Sequence, residues 1–483
     1  MVIQPTLDTN AETPLYRQLS VYLQQMIEVG SLLPGDRLPP TRDLAGQLGL
    51  NRTTVSAAYD VLVSDGMIES RGARGSFVRP FASGGGGSNW ELALNPSISR
   101  ATLSPAAGAL DFTTSRPSSN LFPLDEFRKC AAEVLESGEI GTLLQLGSPR
   151  GYEPLRRYLL DWAAEQGIAT LSDDILITSG CQQAVDLLRR ALIRPGDRVL
   201  LEEPVYPGLR KSFAEAGAEL TGIPVGPDGI DLDIFDAALP GAKVLVVTPS
   251  FQNPTGATIP AANRALLLRR AQMHGVIVIE NDIYSDLRYF GSAIPALKQT
   301  DSNVILMGSF SKIAFPGIRV GWIIAPKAVI DRTAELKQIT DLHTDQMSQA
   351  FLLQFAKKGL LERHRERVIV AGREKLRAVE QAAKRHLAGC KVTQPEGGMN
   401  LWVELPAQVD ANALRAFARQ AGIDYLPGSY FAVSRPLENG LRLSFIGLEP
   451  DEIRKGIEIL GQLVRNSVGM RGRESNAPAP AMV

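Results

Sequence analysis

Near the middle of the chain a lysine stands among hydroxyls. Ser309-Phe310-Ser311-Lys312 follows a short apolar run, and Arg319 comes seven residues later, ahead of Val320-Gly321-Trp322. A lysine amine at a strand end can condense with a carbonyl cofactor. An arginine fork can grip a phosphate. Other segments supply matching chemistry. Asp282 follows the apolar run 276–280, where a carboxylate can keep a ring nitrogen protonated and so make a heteroaromatic ring an electron sink. Asn253 (in Asn253-Pro254-Thr255-Gly256) and Tyr284 can hydrogen-bond a phenolic oxygen. Ser179-Gly180-Cys181-Gln182 joins a strand to a helix, whose first N–H groups are open to an anion. Tyr206 offers a face for ring stacking. Arg442, in the alternating Leu441-Arg442-Leu443-Ser444-Phe445, suits a carboxylate. Each residue alone has a plain reading: a capping Asp, an Asn-Pro turn, a packing Tyr, a buried Cys. Their joint chemistry is a lysine-bound, phosphate-bearing ring beside a carboxylate grip. No metal-ligand pattern is expected.

A second constellation lies near the N-terminus. Arg52-Thr53-Thr54 opens a helix that Asn51 can cap, and Arg42 opens the shorter helix before it. Arg71 and Arg74 flank a turn between two short strands. An arginine fork reads guanine, and hydroxyls hold phosphate or base edges. Three helices followed by two strands make a winged helix-turn-helix, with 42–48 bracing the backbone and 52–65 in the major groove. These residues point to double-stranded DNA as a partner.

The elements that position these groups follow from periodicity. Leu15, Leu19, Tyr22, Leu23, Met26 and Ile27 predict an amphipathic helix over 14–29. Thr41 is expected to cap 42–48, which ends at Gly49, and 52–65 ends at Gly66. The wing is expected over Met67–Ser70 and Ser76–Val78. The run Ser83–Ser88 is linker composition. Beyond it, strands at 175–178, 199–201, 244–248, 276–280, 304–307 and 320–325 alternate with helices such as 181–193 and 261–273. That alternation predicts a mainly parallel α/β sheet covered on both faces. The expected layout is a DNA-binding head over 12–79, a linker over 80–108, a body over 109–467 and a disordered tail over 468–483.

Composition sets the outer bounds. The 483 residues carry 51 Lys+Arg against 52 Asp+Glu, which argues against DNA binding by bulk charge. The first 79 residues hold seven Arg against eight acids, so any DNA contact must rest on placed arginines and on their doubling in a dimer. Three scattered cysteines, 130, 181 and 390, fit a reducing cytoplasm and no disulfide scaffold. No secretory signal and no apolar run of about 18 residues is visible, so no membrane partner is expected.

The head motifs, from Leu38-Pro39-Pro40-Thr41-Arg42-Asp43-Leu44-Ala45 to Gly75-Ser76-Phe77-Val78, resemble the GntR-type winged helix over nearly all of 12–78. The body motifs, in order and spacing, resemble the fold-type I pyridoxal phosphate enzymes of the aspartate aminotransferase superfamily over about 110–465. A GntR-type head joined to such a body resembles the MocR subfamily of transcription regulators. The resemblance implies pyridoxal 5'-phosphate as cofactor. It implies Lys312 as its covalent lysine, Asp282 at the ring nitrogen, and Asn253 and Tyr284 at the phenolic oxygen. Ser179, Gly180, Cys181, Gln182, Ser309, Ser311 and Arg319 would form the phosphate cup. Tyr206 would be the stacking ring and Arg442 the α-carboxylate arginine. The family fold has a mixed seven-stranded sheet, a smaller C-terminal domain and a homodimeric active site. The implied function is a regulator that senses an amine, an amino acid or the cofactor itself through an external aldimine. Two departures stand out. Leu146 replaces a usual Tyr that reaches across the dimer, and Ser115 replaces a usual Gly. Both leave the lysine chemistry available but are expected to make transamination weak or vestigial. The competing readings are a working aminotransferase with an attached DNA-binding head, and a regulator whose body is a bare dimerisation scaffold.

Overall fold

The computed structural model describes residues 5, 7, 8, 11, 13–28, 31–79 and 108–474, and the expected linker over 80–108 lies outside them except for Gly108. The chain divides into two compact units, Met1–Thr102 and Leu103–Val483.

In the first unit, helices α1 (Leu15–Glu28) and α2 (Thr41–Leu48) each pack on α3 (Arg52–Ser64), and strands β1 (Ile68–Ser70) and β2 (Ser76–Val78) form an antiparallel wing. Leu19, Leu23 and Ile27 recur every four residues and are buried against Leu44, Val55, Tyr59 and Leu62. Each such side chain contributes about 1.5–3 kcal/mol on leaving water. Asn51 caps α3 as expected, its side chain accepting from Thr53 N at 3.2 Å. Gly49 ends α2 in the left-handed conformation (φ 65°), which turns the chain into α3 without a Cβ clash. Thr41 is not the cap of α2. Pro40 holds that position without a side-chain bond, so the helix starts one residue early. The Tyr59 hydroxyl donates to Pro39 O at 2.8 Å and ties α3 to the segment entering α2.

In the second unit the large sheet runs, in spatial order, β4 (Asp173–Thr178), β11 (Gly321–Pro326), β10 (Ile305–Ser309), β9 (Ile277–Asn281), β8 (Ala242–Val247), β5 (Arg198–Glu203), β6 (Glu219–Gly226) and β7 (Gly229–Ile230). Its strands β10, β9, β8, β5 and β6 are parallel neighbours. The expected seven strands are present, and the two-residue β7 adds an eighth by folding back on β6. Near-continuous apolar strands such as Val244–Val247 are buried on both faces, as a helix-covered sheet requires. A smaller antiparallel sheet, β12 (Lys391–Val392), β13 (Asn400–Glu404), β16 (Gly440–Ser444) and β15 (Leu426–Pro427), sits with the helices Leu360–His386 and Pro450–Glu474. Strand β3 (Leu110–Asp111) pairs with β14 (Ile423–Asp424), so the start of the body joins its C-terminal part.

The tail expectation needs correction. The last helix runs to Glu474, through the first residues of the expected disordered segment, because Ile457, Leu460, Val464 and Val468 keep a helical stripe on the core. Residues 475–483 lie outside the described residues. Among the described residues, no helix is long and apolar enough to cross a membrane.

Candidate functional site

The carboxyl ends of β4, β5, β8, β9 and β10 converge on one edge of the sheet, where open α/β sheets place their ligands. Strand β11 runs the opposite way, so its start falls on that same edge. Gly321 is in register with both Ser309 and Thr178. Reversal of this one strand is what brings Arg319 beside Ser311 and Ser179. A cavity of about 390 Å³ opens there, lined in part by Cys181, Gln182, Tyr206, Asn253, Tyr284, Ser309, Ser311, Lys312, Arg319 and Arg442.

One wall of the cavity is a cup of donors. Gly180 precedes the helix Cys181–Leu192 with no side-chain cap, leaving that helix end open. Ser309 Oγ donates to Ser311 Oγ (2.9 Å), and Arg319 Nη1 lies 3.5 Å from Ser311 Oγ. Arg319 Nη2 donates to Ser179 O at 3.3 Å. A Cβ on Gly180 would stand 2.9 Å from Arg319 Cζ and closer still to Nη2, so the guanidinium lies where only a glycine leaves room. A helix N-terminus, two hydroxyls and an arginine around such a cradle fit a phosphate dianion.

Lys312 projects into the same cavity. Its amine donates to Ser115 O at 2.6 Å and lies 5.6 Å from the Tyr284 ring centre. Burial, and then the charge of Arg442, lower its pKa to about 8. Asn253 Nδ2 donates to the Tyr284 hydroxyl at 3.4 Å, so the two groups expected at a phenolic oxygen are already adjacent. Burial pushes the Tyr284 hydroxyl up to about 12, which keeps it a donor. Arg442 is almost wholly buried. It donates to Asn253 Oδ1 (3.0 Å) and to Thr113 O, lies 5.1 Å over the Phe431 ring, and has no partner at Nε. Burial lowers its pKa to about 10, so it stays a cation near neutrality. Tyr206 stands at the rim, 44% exposed, with its ring free to cover a ligand.

Three expected residues do not line the cavity: Asp282, Ser179 and Gly180. Asp282 follows β9 between the lining residues Asn281 and Ile283, and burial raises its pKa to about 6 against the hydrogen bond from Ser285. Ser179 spends its N–H on Gln183 Oε1 (2.7 Å), and Gly180 acts by leaving room for Arg319. Gln182 ties its side-chain amide to Ser212 Oγ at 3.0 Å, which leaves its backbone N–H for an anion. Burial pushes the Cys181 thiol up to about 12, so it contributes packing and a backbone donor.

Sequence reasoning missed part of the wall. Thr113, Thr114, Ile283, Leu426, Tyr430 and Phe431 also face the cavity. The Tyr430-Phe431 pair just after Pro427-Gly428 was the available signal. Ser115, noted as a departure, holds Lys312 through its carbonyl while its hydroxyl donates to Asn400 Oδ1 at 2.5 Å. Leu146 is 78% exposed and lines no part of the cavity.

In the head, Arg42, Arg52, Thr53 and Arg74 are exposed and Thr54 is half-buried, on and beside the two helices of the helix-turn-helix. Arg71 is not free. It donates to Glu69 Oε1 (2.6 Å) and lies 4.9 Å over Phe77, because Glu69 and Phe77 are cross-strand partners in the wing. Arg37, not singled out from sequence, bridges to Phe77 and lies against Gly75 in the wing turn.

The comparisons agree with both halves. Residues 15–78 match the model of the bacterial regulatory proteins, gntR family, and residues 115–460 match aminotransferase class I and II. The chain is 30% identical over 470 residues to the probable rhizopine catabolism regulatory protein MocR of Rhizobium meliloti, covering 94% of each chain. It is 35% identical over 378 residues to the 2-aminoadipate transaminase of Thermus thermophilus, covering 76% of this chain and 93% of that one. The crystal structure of LysN, the α-aminoadipate aminotransferase of Thermus thermophilus, complexed with N-(5'-phosphopyridoxyl)-L-leucine, superimposes with a TM-score of 0.73 at 32% identity over 79% of this chain and all of that one. A phosphate cradle, a lysine in the same cavity and a winged head in one chain fit these relatives together. The chain therefore belongs to the MocR subfamily of GntR-type regulators: it is a DNA-binding transcription regulator with a fold-type I aminotransferase body that binds pyridoxal phosphate.

Proposed function

We propose that the body senses a primary amine or amino acid at Lys312 and passes the result to operator binding by the head. The observation that carries this reading is one cavity holding a lysine amine with a lowered pKa beside an arginine with a spare N–H. Pyridoxal phosphate supplies an aldehyde that condenses reversibly with primary amines, and a ring that withdraws electrons. The chain's own residues do the rest. Ser309, Ser311, Arg319 and the N–H groups of Cys181 and Gln182 hold the phosphate. Asn253 and Tyr284 orient the ring, Tyr206 covers it, and Asp282 keeps its nitrogen protonated. Lys312 would hold the cofactor through its amine, at the place a ligand amine would compete for. Ser115 O accepts a hydrogen bond from the free Lys312 amine at 2.6 Å and so would hold that amine beside the cofactor site. Arg442 orients a carboxylate. A ligand that binds two body conformations unequally shifts their populations and so the state of the heads.

In the head, Arg42, Arg52, Thr53, Thr54 and Arg74 contact DNA, with Arg71 a lesser contributor. The body pairs with a second copy, a reading supported by the exposed Leu144 and Leu146, which flank Gln145, whose carbonyl accepts from Gln346. The 35% identity to a transaminase, with the lysine and phosphate residues intact, favours a second reading in which the body also turns over an amino donor and a 2-oxo acid.

The test is a titration of the purified protein with amines and amino acids. Cofactor absorbance and affinity for an operator fragment are read in parallel. Lys312→Ala should lose the spectral response and the ligand dependence of DNA affinity. A normal ligand response of DNA affinity in that variant refutes sensing at Lys312.

A further inference from the structure

The end of β5 carries two buried carboxylates, Glu202 and Glu203. Glu203 is not among the residues that line the cavity. Its Oε1 accepts from three successive backbone N–H groups, those of Val433 (2.8 Å), Ser434 (2.7 Å) and Arg435 (2.9 Å). Its Oε2 accepts from Arg435 Nε at 3.3 Å, and its side chain is wholly out of solvent. Two further bonds run between the same regions. Val205 N donates to Phe431 O, and Gly222 N to Ser434 Oγ, each at 2.9 Å. A carboxylate taken out of water is costly unless its lone pairs are filled. Here successive N–H groups form an anion-binding concavity around it.

What this knot holds is a wall of the cavity. The tied segment follows directly on Tyr430 and Phe431, both of which line the site. Phe431 also packs edge-on against Trp402 (6.0 Å between ring centres) and lies beneath the Arg442 guanidinium. Tyr206, three residues past Glu203, lines the same cavity. The sheet end bearing the stacking tyrosine and the segment bearing the aromatic wall are thus joined through one carboxylate.

We propose that Glu203 is a positioning residue that fixes the Tyr430–Phe431 wall, and that this wall selects amino acids with apolar or aromatic side chains. The inference rests on the sensing reading above. Glu203 touches no ligand. It acts by holding 431–435, so that a ligand whose carboxylate meets Arg442 lays its side chain against Leu426, Tyr430, Phe431 and Ile283. Glycine gains nothing from that wall, and an amine without a carboxylate does not depend on it.

The experiment uses the cofactor-loaded full chain, with phenylalanine, glycine and methylamine as probes and visible absorbance as readout. Wild type should bind phenylalanine more tightly than glycine. Glu203→Ala should weaken phenylalanine about tenfold, the size of one lost charged hydrogen bond. Methylamine response and cofactor affinity should stay within about twofold, a change too small to count as a lost contact. Glu203→Gln keeps an acceptor oxygen for the N–H groups and should fall between the two. If Glu203→Ala does not fold, Glu203→Gln decides, and it must lower the phenylalanine-to-glycine preference. An unchanged preference in the folded variants overturns the inference alone. Equal losses for all three probes and the cofactor also overturn it, since they mark a purely structural role. A wild type that responds to no amine overturns the sensing reading and this inference with it.

Discussion

Gly180→Ala tests the phosphate cradle at its narrowest point. Gly180 holds φ 77° and ψ 172°, a region that only glycine visits readily. An alanine there costs about 1–3 kcal/mol in the backbone alone. Its methyl would also stand 2.9 Å from Arg319 Cζ, and nearer to Nη2, so the guanidinium must leave its place between Ser179 O and Ser311 Oγ. A charge-assisted hydrogen bond to phosphate is worth about 1.5–3 kcal/mol. Its loss should weaken pyridoxal phosphate about 10- to 100-fold. The assay is an absorbance titration of the cofactor-free protein with pyridoxal phosphate and, separately, with pyridoxal. The phosphate-free compound should lose little, because it never used Arg319. A variant that binds pyridoxal phosphate within about twofold of wild type refutes the cradle. So does one that loses both compounds equally.

Other expectations are as direct. Arg52→Ala should cost about 1–3 kcal/mol of specific operator binding, measured by titration against the operator and a scrambled fragment. Arg71→Ala should cost less than Arg52→Ala, because Glu69 and Phe77 already engage that guanidinium; an equal loss would show that the wing rearranges on DNA. Cofactor capture by the free protein needs the neutral Lys312 amine. Its pKa is lowered from 10.5 to about 8, so the capture rate should rise with pH through about 8 and then level off. Arg442→Gln removes one of the charges that lower this pKa and should move the rise to higher pH, as followed by stopped-flow absorbance.

Much of the fold was readable from local pattern. The four-residue recurrence in α1, the cap at Asn51 and the apolar runs that became β4, β5, β8, β9, β10 and β11 depend on neighbours a few residues apart. The tail was misjudged because Arg471, Pro478 and Pro480 dominate its composition, whereas Val468 still had core to reach. Thr41 was misplaced because Pro40 suits a helix entry without any side-chain bond. In the site, ten of the thirteen body residues expected from motifs line one cavity. Asp282, Ser179 and Gly180 neighbour that cavity in sequence without lining it, since a motif does not show which of its members turns inward.

The sequence by itself determined the chemistry on offer: a lysine among hydroxyls, arginines for phosphate and carboxylate, and a head whose overall acidity leaves DNA binding to a few arginines. Tertiary structure alone decided which groups meet. The Lys312 amine finds Ser115 O across 197 positions, and Arg442 finds Thr113 O across 329. The reversed β11 brings Arg319 to the edge where the parallel strands end, and the wing pairing spends Arg71 on Glu69. The physical reason is range. Periodicity and capping are set within a turn or a strand, whereas burial, lowered pKa values and paired charges arise where distant segments exclude water together.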